Sequence, residues 1–193
     1  RRMEEVLETV PEIQDTEESA ARPEEEGEEI LRFENVGFCF SDAEENTLKN
    51  ISFTCRRGET TAIIGSTGSG KSTIARLILR FHDVSQGRIL FRGQDIRSLP
   101  QKGLRKEISY VPQKAWLFSG TIKENLAQGK ETAGEEEMFH ALKTAQADFV
   151  KNLPQGLETK VAQGGTNFSG GQKQRLCIAR ALMKKTGLYV FDD

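Results

Sequence analysis

The distribution of apolar and polar positions changes near residue 30. Before it, Met3, Val6, Leu7 and Val10 recur at helical spacing, and "PEIQDTEESAARPEEEGEE" then offers little to bury. This predicts the tail of a helix followed by an acidic, flexible linker, together residues 1–29. From Leu31 onward, "LRFENVGFCF" and "ISFTCRRG" alternate with period two around the turn-rich "SDAEENTLKN", which predicts two antiparallel strands. "TTAIIG" is short, apolar and β-rich, the pattern of a strand buried on both faces. In "TIARLILRFH", Ile74, Leu77, Ile78 and Phe81 fall at i, i+3, i+4 and i+7, one face of a helix. "GRILFRG" and "ISYVPQ" read as further strands. After Gln113, "GTIKENL", "GEEEMFHALKTAQADFVKNL" and "GGQKQRLCIARALMK" predict three helices separated by Gly-containing loops, and the last leads into the strand "LYVFD". Strand, loop and helix, then a helical middle, then a returning apolar strand indicate an α/β core with a helical insertion.

Composition alters this picture little. Charged residues at 29% and hydrophobic ones at 36% of 193 residues suit one globular domain with a sizeable core. The net charge of −2 conceals an asymmetry: residues 1–29 hold twelve acids against three arginines, −9, which leaves +7 for residues 30–193. A mildly basic domain suits an anionic ligand better than a general nucleic-acid surface, so nucleic acid is not an expected partner. No stretch approaches 18 consecutive apolar residues, and "RRMEEVLETV" lacks the apolar centre of a signal peptide. The Arg-Arg start predicts an internal fragment or a processed chain. Cys39, Cys55 and Cys177 form no metal-ligand spacing and read as packing residues of a reducing compartment.

The chemistry lies in "GSTGSGKS", Gly65 to Ser72, which satisfies G-x-x-x-x-G-K-[ST] between a predicted buried strand and an amphipathic helix. Glycines let the backbone curl so that successive N–H groups face phosphate oxygens, and the helix start adds about half a positive charge. Lys71 is expected to reach the β- and γ-phosphates, and the Ser72 hydroxyl to ligate Mg²⁺. Gly65, Ser66, Thr67, Gly68, Ser69, Gly70, Lys71, Ser72 and Thr73 form the predicted cofactor-binding set for ATP. A P-loop fold needs a second Mg²⁺ anchor at the end of a neighbouring strand, and Asp192 in "LYVFDD" fits that place.

"FSGGQKQR", Phe168 to Arg175, alone reads equally well as a Gly-rich helix cap. Together with the P-loop and "LYVFDD", it resembles the signature of the ATP-binding cassette (ABC) ATPases, with Phe168 in place of the usual leucine. The resemblance spans about Leu31 to Asp193. It implies a P-loop NTPase (RecA-like) core, an antiparallel β subdomain and an α-helical insertion subdomain, roughly 114–176, that carries the signature. Residues 30–193 are then the nucleotide-binding domain. Ser169, Gly170, Gly171 and Gln172 would face the γ-phosphate held by a second such domain. In "ISYVPQKAWLFSGTIKENL", Gln113 would ligate Mg²⁺ and sense the γ-phosphate. This segment and "KVAQGGTNFSGGQ" resemble exporters. The adenine-stacking aromatic of the family, usually Tyr, falls on Phe40, which equally reads as a core strand residue.

The position after the strand aspartate is normally the water-polarising Glu, and here it is Asp193. One methylene less withdraws the carboxylate by on the order of 1 Å, a displacement to which catalysis is sensitive. The resemblance therefore implies a degenerate site, paired in a heterodimer with a competent partner at the cytoplasmic face of the cell membrane. Residues 1–29 would link a preceding transmembrane domain. A soluble ABC ATPase acting on nucleic acid or ribosomes is the alternative. The family's D-loop and switch histidine would lie beyond Asp193, so residues 1–193 alone are expected to show no ATPase turnover. Surface or packing roles fit His82 and His140.

Overall fold

The computed structural model describes residues 13–15, 27–41 and 46–192. Two compact units divide the chain, Arg1–Arg105 and Lys106–Asp193. In the first, β1 (Glu29–Phe38) lies between β2 (Leu48–Arg56) and β3 (Gln86–Phe91), with β4 (Gln94–Asp95) beyond β3, all pairs antiparallel. The expected alternation holds from Leu31 to Glu34, where Leu31 and Phe33 are buried and Arg32 and Glu34 half-buried, and it is lost beyond and along most of β2. Phe33 sits opposite Phe53 on one neighbour and Ile89 on the other. The Phe33 and Phe53 rings stack with centroids 4.5 Å apart. On the polar positions, Arg32 pairs with Glu29 and Glu34, and Glu34 also pairs with Arg88.

The register shifts after Phe33, where Asn35 takes a left-handed φ of 48° and its N–H donates to Ser52 Oγ at 2.8 Å. This bulge re-phases the strand so that Val36 and Phe38 are buried. Gly87, at φ 73°, allows the neighbouring strand to pass, because a Cβ there would run into the Glu34 carbonyl and lie 2.5 Å from the Asn35 oxygen.

Helix α1 (Lys71–Ile78) buries Thr73, Ile74, Ala75, Leu77 and Ile78. It stops before Phe81, contrary to the expectation of one helical face from Ile74 to Phe81. Arg80 at φ 50° ends it, and the Arg80 guanidinium, 4% exposed, donates to Asp83 Oδ1 and the Leu99 carbonyl. Phe81 is left exposed beneath the Arg105 guanidinium, which lies 4.9 Å from its ring. A second departure precedes α1. "TTAIIG" forms no strand and pairs with none among the described residues, so Ile64 is 94% and Ile63 42% exposed. Its apolar pattern indicates burial, which needs neighbouring strands on both sides. The expected helix in residues 1–10 lies outside the described residues. Within the expected linker, residues 13–15 are held: Asp15 accepts from the Gln101 N–H at 2.9 Å, at the start of α2 (Gln101–Lys106).

In the second unit, β5 (Ile108–Val111) pairs in parallel with β8 (Leu188–Phe191). The short β6 (Gly120–Thr121) pairs antiparallel with β7 (Lys160–Val161). Helices α3 (Ile122–Ala127), α4 (Glu135–Thr144) and α5 (Gly170–Met183) enclose a core that includes Leu117, Leu126, Met138, Leu142, Val150 and Leu176. The long helix expected from "GEEEMFHALKTAQADFVKNL" breaks in two. Gln146 at φ 56° separates α4 from a 3-10 turn over Asp148–Asn152, and the break turns buried Ala147 and Val150 into the core.

Replacing Gly87 by Ala is expected to lower the unfolding free energy by about 2–3 kcal/mol, from strain plus backbone overlap. Gly93→Ala, with φ 80° but open space around it, should cost only about 1 kcal/mol. Denaturant unfolding separates the two. A pH dependence comes from Glu137, whose carboxyl is held below the usual range by hydrogen bonds from Lys130 and then Lys185. A depressed folded pKa stabilises above the unfolded value and is lost as pH falls through the folded one. Glu137→Gln should therefore flatten part of the decline in thermal midpoint between pH 5 and 3, about the range where an ordinary Glu titrates.

Candidate nucleotide-binding site

The first unit carries the segment expected to cradle phosphate. From Gly65 to Ser69 the chain is exposed, and Gly68 (φ 82°) and Gly70 (φ 91°) supply the left-handed turns. Gly70 is the N-cap of α1, with no side-chain cap bond and no acid in the first turn, so the helix start presents backbone donors and its positive end. A Cβ on Gly70 would lie 2.6 Å from Leu48 Cδ2, so the first residue of β2 backs the turn. Lys71 Nζ donates to the Gly65 and Ser66 carbonyls at 2.7 and 2.8 Å, folded over the loop it would serve. Ser72 is half-buried at the helix start, and Thr73 is buried beneath it.

In the same unit, the Phe40 ring meets Phe38 at 4.7 Å and His82 at 5.4 Å, both nearly perpendicular, with interplanar angles of 83° and 84°. The contact with His82 was not visible in the sequence; only the closure of the sheet brings the two positions together.

The second unit holds the other expected groups. Its parallel strands bring Gln113 and Asp192 to one edge: both lie just past the C-terminal ends of β5 and β8, and the Asp192 N–H donates to the Val111 carbonyl at 3.0 Å. Gln113 is exposed and Asp192 half-buried. Tyr110, which sequence reasoning missed, donates its hydroxyl to Asp192 Oδ2 at 3.2 Å. Its signal was weak, a tyrosine in a short strand that also holds Ser109. Asp193 lies outside the described residues.

Ser169 caps α5 in a capping box. Its Oγ accepts from the Gln172 N–H at 3.2 Å, and its own N–H donates to Gln172 Oε1 at 2.9 Å. Gly170 and Gly171 are exposed, and Arg175 Nε donates back to the Gly171 carbonyl at 3.1 Å. Phe168 packs on the helical core with its ring centroid 6.3 Å from Phe149, which accounts for an aromatic at this place. Hydroxyl, carboxylate and amide oxygens such as those of Ser72, Asp192 and Gln113 are the hard donors that Mg²⁺ takes.

A family profile described as "ABC transporter" matches residues 48–193. The chain belongs to the ABC transporter family. It is an ABC ATP-binding domain, an ATPase domain by family, similar to those of exporters, and its antiparallel sheet and helices match the ABC ATPase fold. The structure of a bacterial Atm1-family ABC exporter with ATP bound matches with a TM-score of 0.90 at 40% identity, covering 98% of this chain and 33% of that one. The mitochondrial iron-sulfur clusters transporter ATM1 of Kluyveromyces lactis is 47% identical over 182 residues, 94% of this chain and 25% of the relative. The ATP-dependent lipid A-core flippase of Syntrophus aciditrophicus is 39% identical over 189 residues, 97% of this chain and 31% of the relative. The chain thus spans about a third or less of these proteins' length. No helix among its described residues is long and apolar enough to cross a membrane.

Ser169→Ala should lower the unfolding free energy by about 1 kcal/mol, and Ser169→Asp, another good cap, should recover most of it. Guanidinium unfolding of the three proteins measures this.

Proposed function

We propose that this exporter-type domain binds Mg-ATP and uses it to drive transport through a membrane domain outside this chain. The observation that carries the reading is the Gly65–Ser72 cradle, whose uncapped helix start and folded-back Lys71 present donors of the kind a triphosphate needs. In this reading the phosphates displace the two carbonyls from Lys71, and the backbone from Gly65 to Thr73 wraps them. Phe40 stacks the base. Mg²⁺ would be held by the Ser72 hydroxyl, the Asp192 carboxylate and the Gln113 amide, and would neutralise phosphate charge. The exposed Gly170–Gly171 turn, with Ser169 and Gln172, faces ATP bound to a second nucleotide-binding domain, and closure of the pair moves the transmembrane domains.

Residues 1–29 serve as the link from a preceding membrane domain, 30–193 as the nucleotide-binding domain and 114–176 as its helical subdomain, at the cytoplasmic face of the cell membrane. Two relatives named for different cargoes, iron-sulfur clusters and lipid A-core, match over nearly the whole of this chain. Cargo choice therefore belongs to surfaces elsewhere. Asp193 in the water-polarising position makes this a degenerate site that mainly holds ATP, with a heterodimeric partner supplying the competent one.

Lys71→Ala in the complete transporter should abolish ATP binding at this site, read by nucleotide cross-linking. Asp193→Glu should raise hydrolysis at this site at least about tenfold, because it restores the reach of the carboxylate. Unchanged binding in the first variant would refute the cradle. Unchanged turnover in the second would refute the degenerate site and leave the cradle standing.

A further inference from the structure

His82 follows the helix of the cradle and carries no role in the proposed chemistry, yet its surroundings fix it firmly. The Arg80–Asp83 ion pair, 3.1 Å from Nε to Oδ1, spans it, and Arg80 is itself buried and tied to the Leu99 carbonyl. Just beyond, Ser85 laces this turn to the end of β1. Its N–H donates to the Gly37 carbonyl at 2.9 Å, and its Oγ accepts from the Cys39 N–H at 3.1 Å. These bonds set the His82 ring 5.5 Å from Phe38 and 5.4 Å from Phe40, while Phe38 meets Phe40 at 4.7 Å. Three rings thus support one another, and neither neighbour lies parallel to Phe40.

Phe40 gains little support from its own chain direction, because it lies past the end of β1 and outside any strand. A lone phenylalanine there would lose ring freedom on stacking a base, and pre-ordering it removes that cost. Perpendicular contacts hold a ring in place without occupying it as a parallel stacking partner, the arrangement left for a base. We infer that His82 is a positioning residue for base recognition: it fixes the Phe40 ring as a stacking platform, so that this site selects a nucleotide over a bare polyphosphate.

The inference rests on the reading of Phe40 as the base-stacking residue, and the test separates the two. Binding of ATP and of inorganic tripolyphosphate, each with Mg²⁺, is measured by calorimetry on the full chain. His82→Ala is expected to weaken ATP about three- to tenfold, the range of one aromatic pair, and to leave tripolyphosphate unchanged. His82→Phe should bring ATP back to within about twofold of the wild type. An equal loss for both ligands would mark a merely structural role and overturn the inference, as would unchanged ATP affinity in His82→Ala or no rescue by Phe. If His82→Ala does not fold, His82→Leu, which keeps bulk without a ring, carries the same comparison. Phe40→Ala is the control: if it leaves ATP binding intact, the platform itself is wrong. If it weakens ATP while His82→Ala does not, only the role of His82 falls.

Discussion

A helix that is to receive phosphate, as proposed for α1, must leave its first backbone donors open, and that constraint bears on the rest of the first unit. An ordinary helix would close its start with Ser, Thr, Asp or Asn, worth about 1 kcal/mol. Helix α1 forgoes this, with Gly70 at φ 91° as its cap. An eight-residue helix is marginal in isolation, so its stability has to come from its buried face. Ile74, Leu77 and Ile78 supply about 1.5–3 kcal/mol each, which outweighs the missing cap. The sheet supports the same arrangement. Leu48 backs Gly70, Phe38 sits opposite Leu48, and Ser85 ties the far end of the helical segment to Gly37 and Cys39. The helix start, the sheet and the aromatic cluster are therefore one construction in which an uncapped turn is held by distant packing.

The second unit treats a helix start in the opposite way. Ser169 and Gln172 cap each other at α5, so their side chains are already engaged. What stays exposed there is the turn at Gly170 and Gly171, neither of which carries a side chain of its own, although Arg175 holds the Gly171 carbonyl. The plain cap reading and the proposed phosphate contact are thus compatible. The capping box holds the first turn in shape, and the two glycines give an anion access to it.

Much of this was legible in the sequence because it is local. Strands β1 and β2, the glycine turn before α1 and the α5 cap all follow from residues a few positions apart. What was not legible depends on partners far along the chain. "TTAIIG" carries a buried-strand pattern, yet burial comes only from flanking strands, and Ile64 is exposed without them. Phe81 fits a helical face by spacing, but the buried Arg80 turns the chain one residue earlier, a choice made by contacts to Asp83 and Leu99. The break at Gln146 carries no Gly or Pro to announce it, and the core reached by Ala147 and Val150 decides it. The contacts of His82 with Phe40 and of Tyr110 with Asp192 stayed hidden for the same reason: each pair meets only after a strand pairs or a turn closes.

Tyr110 shows what a parallel pair adds to a site. In the β5–β8 ladder Tyr110 stands opposite Val190, and Val111 opposite Phe191, so both strands leave the pair at the same edge. One further backbone bond, from the Asp192 N–H to the Val111 carbonyl, carries that order past the last strand residue. The Tyr110 hydroxyl then grips one carboxylate oxygen of Asp192, leaving Oδ1 outside that bond. A carboxylate oriented in this way loses less freedom when it meets a cation, the service that outer hydrogen-bond partners give to metal ligands. A phenylalanine at 110 would keep the packing of the strand but remove this bond to the carboxylate. The hydroxyl therefore belongs to the proposed chemistry of Asp192, while the ring belongs to the sheet.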